Sequence, residues 1–301
     1  HIYWYHCSQN MQDEYFCNYD GELLFIPYNG KLKIATELGN MGCEPGQIIV
    51  IPRGIAFKID PSNNYASGYL AENSGAPLKL PELGILGANA LAHPRHFYYP
   101  SAHFEKKISP GKQFVKLKGC LWEREISHSP LNVVAWQGNY CPYFYDLKHF
   151  NTINSVSYDH PDPSIYTLLS SESHSPGTAS LDFVIFPPRL SVAKNTFRLP
   201  YFHRNCMSEL MGLIRGEYDA KGRDFRPGGI SIHNMMTPHG PDYMSWHKET
   251  HSDDTPLEIK NDLAFMLESN EIWNLSQDAY HSGLNHKNYT SCWEGFPNAK
   301  I

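Results

Sequence analysis

The 301-residue sequence has no run of 18 apolar residues, no basic stripe and no CxxC pair, and each absence removes a class of function. Without an apolar run of that length no helix spans a bilayer. A formal charge of −6 with no clustered Lys and Arg leaves no electrostatic footprint for nucleic acid. The seven cysteines (Cys7, Cys17, Cys43, Cys120, Cys141, Cys206 and Cys292) are odd in number and scattered, poor material for a disulfide framework or a zinc cluster. A reducing, cytoplasmic location is therefore expected, and the glycosylation sequons at Asn274 and Asn288 read as chance matches. No signal peptide is visible. The chain opens on His1 rather than methionine, which leaves open that part of the native N-terminus is missing.

Long amphipathic helices are also scarce; what is present instead is strand material. Hydrophobic residues make up 41% and charged residues 19%, the balance of an ordinary globular protein with one large or two modest domains. The 22 Pro, 22 Gly, 19 Tyr and 15 Phe suit short strands joined by turns. Glu22–Ile26, Leu32–Thr36 and Gln47–Ile51 read as strands, separated by turn signals at Tyr28-Asn-Gly30 and Glu44-Pro-Gly46. A looser stretch is expected from about Pro61 to Pro110. The strand pattern resumes at Ile165–Leu169, Asp182–Phe186, Glu209–Ile214 and Leu263–Leu267. A composition shift between Tyr140 and Phe150 suggests two domains, 1–148 and 149–301, in a mainly β sandwich or jelly roll.

Both halves resemble the cupin family of jelly rolls. In the first, Gly46, five residues, Pro52-Arg-Gly54 and Phe57 follow the second cupin motif. Phe57 stands where that motif places a metal-binding His, and phenylalanine cannot ligate, so this half is expected to be metal-free. In the second, His203, Glu209 and Gly216 follow the first cupin motif, with Asn205 where many cupins carry a further His. The expected fold is thus a duplicated cupin-like jelly roll with a metal-binding C-terminal half.

His203 and Glu209 lie six residues apart, an even spacing that puts both on one face of an extended segment. Beyond the Pro227-Gly-Gly229 turn come His233 and His239, again an even number apart. Two neutral imidazoles and one carboxylate, His203, Glu209 and His239, form the facial triad that suits non-haem Fe(II) and leaves positions free for substrate and dioxygen. A lone strand histidine is usually structural. Glu209 inside an apolar strand is harder to dismiss, because a buried carboxylate needs a cation or strong donors. Spacing does not separate iron from zinc, manganese or nickel.

At these residues the sequence resembles homogentisate 1,2-dioxygenase, and it does so over essentially its whole length. The matching stretches include Tyr19-Asp-Gly21, Gly87-Ala-Asn89, Asn132 to Trp136, Asp159 to Ser164 and Asp182 to Arg189. Further matches are Tyr201 to Gly212, Thr237 to Asp242 and Ala264 to Ser269. The resemblance implies oxidative cleavage of homogentisate by dioxygen to 4-maleylacetoacetate at a mononuclear Fe(II) centre, in phenylalanine and tyrosine breakdown. It implies iron ligands at His203, Glu209 and His239, the active-site histidine at His160, and a substrate-contacting tyrosine at Tyr218. His239 belongs also with the substrate contacts. His160, in a proline-stiffened loop, would accept the phenol proton. Tyr218 would donate to the substrate acetate. His233 would orient a ligand or a substrate oxygen; Arg204 and Asn205 would anchor Glu209 or the substrate.

The family also implies a homo-oligomer, trimers paired into hexamers, and a substantial N-terminal region before the point matching His1. Its absence would weaken assembly or expose the site. Glu217 stands where relatives carry His, and its charge would repel an anionic acetate. Two alternatives stay open: a dioxygenase for a related dihydroxyphenyl acid such as gentisate, and a non-catalytic cupin binding module.

Overall fold

The computed structural model describes residues 1–82, 92–133, 140–152, 166–191, 198–222, 225–253 and 255–298. The chain divides into two units, His1–Asn151 with Leu168–His174, and Thr152–Thr167 with Ser175–Ile301. Both are mainly β.

The first unit contains β1 (Ile2–Cys7), β2 (Glu14–Asn18), β3 (Glu22–Thr36), β4 (Gly39–Cys43), β5 (Gln47–Ile51) and β6 (Ala56–Asn73). After them come β7 (Phe97–Tyr98), β8 (Gly111–Leu117), β9 (Cys120–Ile126) and β10 (Tyr143–Asp146). They form a ten-stranded sheet in the order β7-β10-β5-β3-β6-β2-β8-β9, with β1 added on β6 and β4 on β3. Its core holds Leu23, Phe25, Ile49, Ile51 and Phe57, the last 2% exposed with its ring edge-on to Phe16 and Phe25.

Two expectations need correction here. The strands expected at Glu22–Ile26 and Leu32–Thr36 are one strand, β3, and Tyr28-Asn-Gly30 is no hairpin turn. β3 runs antiparallel to β6 from Glu22 opposite Asn73 to Thr36 opposite Phe57, with register shifts between Pro27 and Asn29 and between Gly30 and Leu32. Gly30 (φ 73°) sits where an added Cβ would lie 2.3 Å from the Tyr65 carbonyl oxygen, so the turn-like sequence serves a bulge. For the same reason the looser stretch does not begin at Pro61, because β6 continues to Asn73. The turn at Glu44–Gly46 is present, closed by Gln47 N–H donating to the Glu44 carbonyl at 2.9 Å.

β11 (Thr167–Glu172) precedes the strands of the second unit: β12 (Ala179–Phe186), β13 (Arg189–Leu190), β14 (Ser208–Arg215), β15 (Ile230–His233), β16 (Glu258–Ile259) and β17 (Leu263–Ser269). The antiparallel order β12-β17-β14-β15 forms the body of this unit. Two short helices, α1 (Tyr243–Thr250) and α2 (Gln277–His281), and a 3-10 turn at Tyr289–Trp293 follow. No helix among the described residues is long and apolar enough to cross a membrane. β14 is buried from Ser208 to Ile214 and β17 along its whole length, so both sheet faces are covered. One face is core; the other carries the chemistry.

Candidate metal centre

Alternation along β14 sends Leu210 and Gly212 to one face and Glu209 and Met211 to the other. At Gly212 an added Cβ would lie 2.2 Å from the Phe265 ring, so the core face admits only glycine there. On the other face, register places Glu209 opposite His233, and Met211 opposite both Ser231 and Met266. All five line a cavity that also takes in His203, Tyr218, Lys221 and His239.

The even spacings do not bring the three residues of the triad together in the way expected. His203 and His239 lie outside the long strands and face each other in an isolated antiparallel bridge. His203 N–H donates to the His239 carbonyl at 2.9 Å, and His239 N–H to that of His203 at 3.1 Å. Further ties hold the two loops together. Met236 N–H donates to the Asn205 carbonyl at 2.8 Å and Met235 N–H to Ser208 Oγ at 3.0 Å, with Met236 in the left-handed region at φ 61°. Glu209 then projects from β14 beneath the bridge.

Each histidine ring is aimed by its own backbone. Nδ1 of His203 lies 2.5 Å from the Tyr201 carbonyl, and Nδ1 of His239 lies 2.9 Å from that of Thr237. A carbonyl only accepts, so Nδ1 carries a hydrogen in both rings and Nε2 is the atom turned toward Glu209 and placed to ligate a cation. His239 Nε2 is 3.0 Å from Glu209 Oε2, and His203 Nε2 is 3.6 Å from Glu209 Oε1. The three donor atoms lie within 4.8 Å of one another. Asn205 Nδ2 donates to Glu209 Oε1 at 3.0 Å and to Glu268 Oε1 at 2.7 Å, so one amide joins two buried carboxylates.

Burial pushes the Glu209 carboxyl up, but the facing His203 and His239 and the Asn205 amide outweigh it and hold the group below the ordinary carboxylate range. The Glu209 carboxylate raises His203 in turn, against burial. Glu209 is 5% exposed and forms no ion pair with Lys or Arg among the described residues. Two nitrogens and a carboxylate converging with no lysine or arginine between them fit a divalent cation of the non-haem iron type.

Around this centre His233 stacks on His239, ring centroids 4.3 Å apart and planes 7° from parallel. Burial and the neighbouring charges of His239 and Lys221 push it down to about 3. Tyr218 and Lys221 stand at the two ends of one turn, closed by Lys221 N–H donating to the Tyr218 carbonyl at 3.1 Å. Burial raises the Tyr218 hydroxyl and lowers Lys221. Asp242 fixes that turn: its Oδ2 accepts from Gly222 N–H at 2.7 Å while its Oδ1 caps α1 through Ser245 N–H at 2.7 Å. Of the residues flagged beside the ligand, Asn205 anchors Glu209 whereas Arg204 is exposed. Glu217 is also exposed and does not line the cavity, so the repulsion expected from it acts across solvent.

The family model described as Homogentisate 1,2-dioxygenase N-terminal matches residues 1–147, and the one described as Homogentisate 1,2-dioxygenase C-terminal matches residues 148–300. The chain belongs to the homogentisate 1,2-dioxygenase family. Relatives of that name include a protein from Legionella pneumophila, 56% identical over 294 residues (98% of this chain, 70% of the relative). Another, from Pseudomonas fluorescens, is 51% identical over 296 residues (98% and 68%). Among solved structures, a cupin 2 conserved barrel domain protein from Leptotrichia buccalis aligns at a TM-score of 0.33 and 9% identity, covering 88% of this chain and 81% of that one. That likeness is too loose to carry weight. His160, where the resemblance puts the active-site histidine of homogentisate 1,2-dioxygenases, lies outside the described residues.

Lys221, Asp242 and Tyr289 were not singled out from the sequence. Lys221 follows Tyr218 by three residues, the span of the turn that pairs them, and that spacing was an available signal. Tyr289 had none.

Proposed function

We propose that this chain cleaves the ring of homogentisate with dioxygen to give 4-maleylacetoacetate, with Fe(II) held by His203, Glu209 and His239. The convergence of those three side chains in a member of this family carries the reading. Iron would supply a redox-active centre at which triplet dioxygen reacts with a closed-shell ring. Both oxygen atoms end in the product, so no external reductant is needed.

The remaining roles belong to the protein. Substrate enters as an anion, and Lys221 with the Tyr218 hydroxyl gives the acetate group a cation and a donor at the two ends of one turn. Met211, Met266 and Phe186 offer apolar walls for the ring and keep water away from it. Stacked on His239, His233 is placed to meet a substrate oxygen with its buried Nδ1, which has no partner. His160 would take up the phenol proton and return it later, a role resting on the resemblance alone. A homo-oligomer, trimer or hexamer, located in the cytoplasm belongs to the same proposal; seven free cysteines agree with a reducing location.

Oxygen uptake by Fe(II)-loaded protein over a small panel of hydroquinone acids tests the reading. Homogentisate is expected to be consumed with the appearance of the maleylacetoacetate absorbance. Turnover of gentisate alone would overturn the substrate, and iron bound with no turnover of any acid would favour a binding module.

A further inference from the structure

Tyr289 belongs to no strand and stands 50 residues beyond His239, yet its hydroxyl reaches the cavity wall from behind. It lies 2.8 Å from His233 Nε2 and 2.5 Å from Lys221 Nζ. An ammonium group has donors and no acceptor, so Lys221 donates to the tyrosine oxygen. The same oxygen lies within hydrogen-bond distance of His233 Nε2, so the phenol bridges the ammonium and the imidazole. One phenol therefore sets the position of the cavity's cation and ties it to the imidazole stacked on His239. The Tyr289 and Trp293 rings also lie under the ammonium, with Nζ 4.1 and 5.0 Å from their centroids.

The segment carrying Tyr289 is fastened to both ligand-bearing loops. Trp293 Nε1 donates to the Gly240 carbonyl at 3.3 Å, one residue from His239. Phe296 packs edge-on against Phe202, one residue from His203, at 5.3 Å. Tyr289 is thereby held at a fixed distance from the triad as well as from the two side chains it bonds.

We propose that Tyr289 is a positioning residue for substrate: it fixes the Lys221 ammonium to receive the carboxylate. The proposal rests on the homogentisate reading above. It is tested by calorimetric binding to the anaerobic Fe(II)-loaded full chain, without turnover. Two ligands are compared, homogentisate and methylhydroquinone, which keeps the ring and loses the carboxylate. Wild-type protein is expected to prefer homogentisate. Tyr289→Phe is expected to bind homogentisate about tenfold more weakly, the loss of one charge-assisted hydrogen bond, and methylhydroquinone within about twofold of wild type. Iron content stays at that of wild type. In a Lys221→Met background, Tyr289→Phe adds little further loss for homogentisate. Equal weakening of both ligands, or no weakening of either, would overturn the proposal. Should Tyr289→Phe not fold, Tyr289→His, which keeps a ring and a hydrogen-bonding nitrogen, is expected to lower the preference about threefold; an unchanged preference would overturn it. Wild-type protein that binds neither hydroquinone would sink the functional reading and this proposal with it. A wild type that discriminates beside a variant that discriminates equally sinks the proposal alone.

Discussion

Glu105, partly buried in the first unit, and Glu209, buried in the second, are satisfied in opposite ways. Glu105 accepts from Tyr15 Oη at 2.7 Å and Ser129 Oγ at 2.6 Å and pairs with the Lys58 ammonium. Burial pushes its carboxyl up, but those partners, Lys58 first among them, bring it down to about 2. Its charge is closed by a lysine. Glu209 has two imidazoles and one amide instead, and its partners leave room for a cation that the protein itself does not provide. The same contrast recurs at the cupin motifs. Phe57 fills the ligand position of the first unit with a ring packed on two other rings, whereas the second unit places His203 and His239 on a bridge with Nε2 directed at Glu209. One β unit thus closes its core where the other presents an open donor set.

The largest expected effect removes the open charge. Glu209→Gln keeps shape but loses the anion, and should release iron and reduce oxygen uptake by several orders of magnitude, as read by metal analysis and an oxygen electrode. If Glu209→Gln kept its iron and its rate, Glu209 would be no ligand. Next comes Lys221→Met, which keeps the stem and removes the cation facing the cavity. KM for homogentisate should rise by about ten- to a hundredfold with a smaller change in kcat, and an unchanged KM would remove Lys221 from the substrate site.

Phe57→His attempts to turn the first unit into the second. The imidazole would be buried among Phe16 and Phe25, costing about 2 kcal/mol or more of stability, and no second iron should bind. Two irons per chain in that variant would show that the frame alone builds the site. The smallest effect is at Glu105. Its folded pKa lies below the ordinary 4.5, so its contribution is present above about pH 4.5 and is lost as pH falls through about 2. In metal-free protein, Glu105→Gln should lower stability by about 1–3 kcal/mol at pH 7 and by almost nothing near pH 2, measured by urea unfolding.

The mainly β character was legible in short apolar runs and turn signals, as were the positions of β5, β12, β14 and β17. The long β3 was not, because Tyr28-Asn-Gly30 has the composition of a hairpin turn and the pairing with β6 decides between turn and bulge. His203, Glu209 and His239 were legible as a set from residue type and motif spacing. The way they meet was not, since it depends on a two-residue bridge between loops rather than on the face of one strand. Asn205 was expected to anchor Glu209 from its place beside His203, but its second bond, to Glu268, joins residues 63 positions apart and had no sequence signal. Lys221 was signalled only by its spacing from Tyr218, and Tyr289 follows no periodicity; the segment that brings it to Lys221 is visible only in the tertiary structure.

The central claim, one Fe(II) per chain in the second unit acting on homogentisate, is tested most directly by anaerobic iron titration followed by oxygen admission with that substrate. The expected result is one iron bound per chain and one dioxygen consumed per homogentisate cleaved. A chain that binds no iron, or that binds one iron and leaves homogentisate intact, would contradict it.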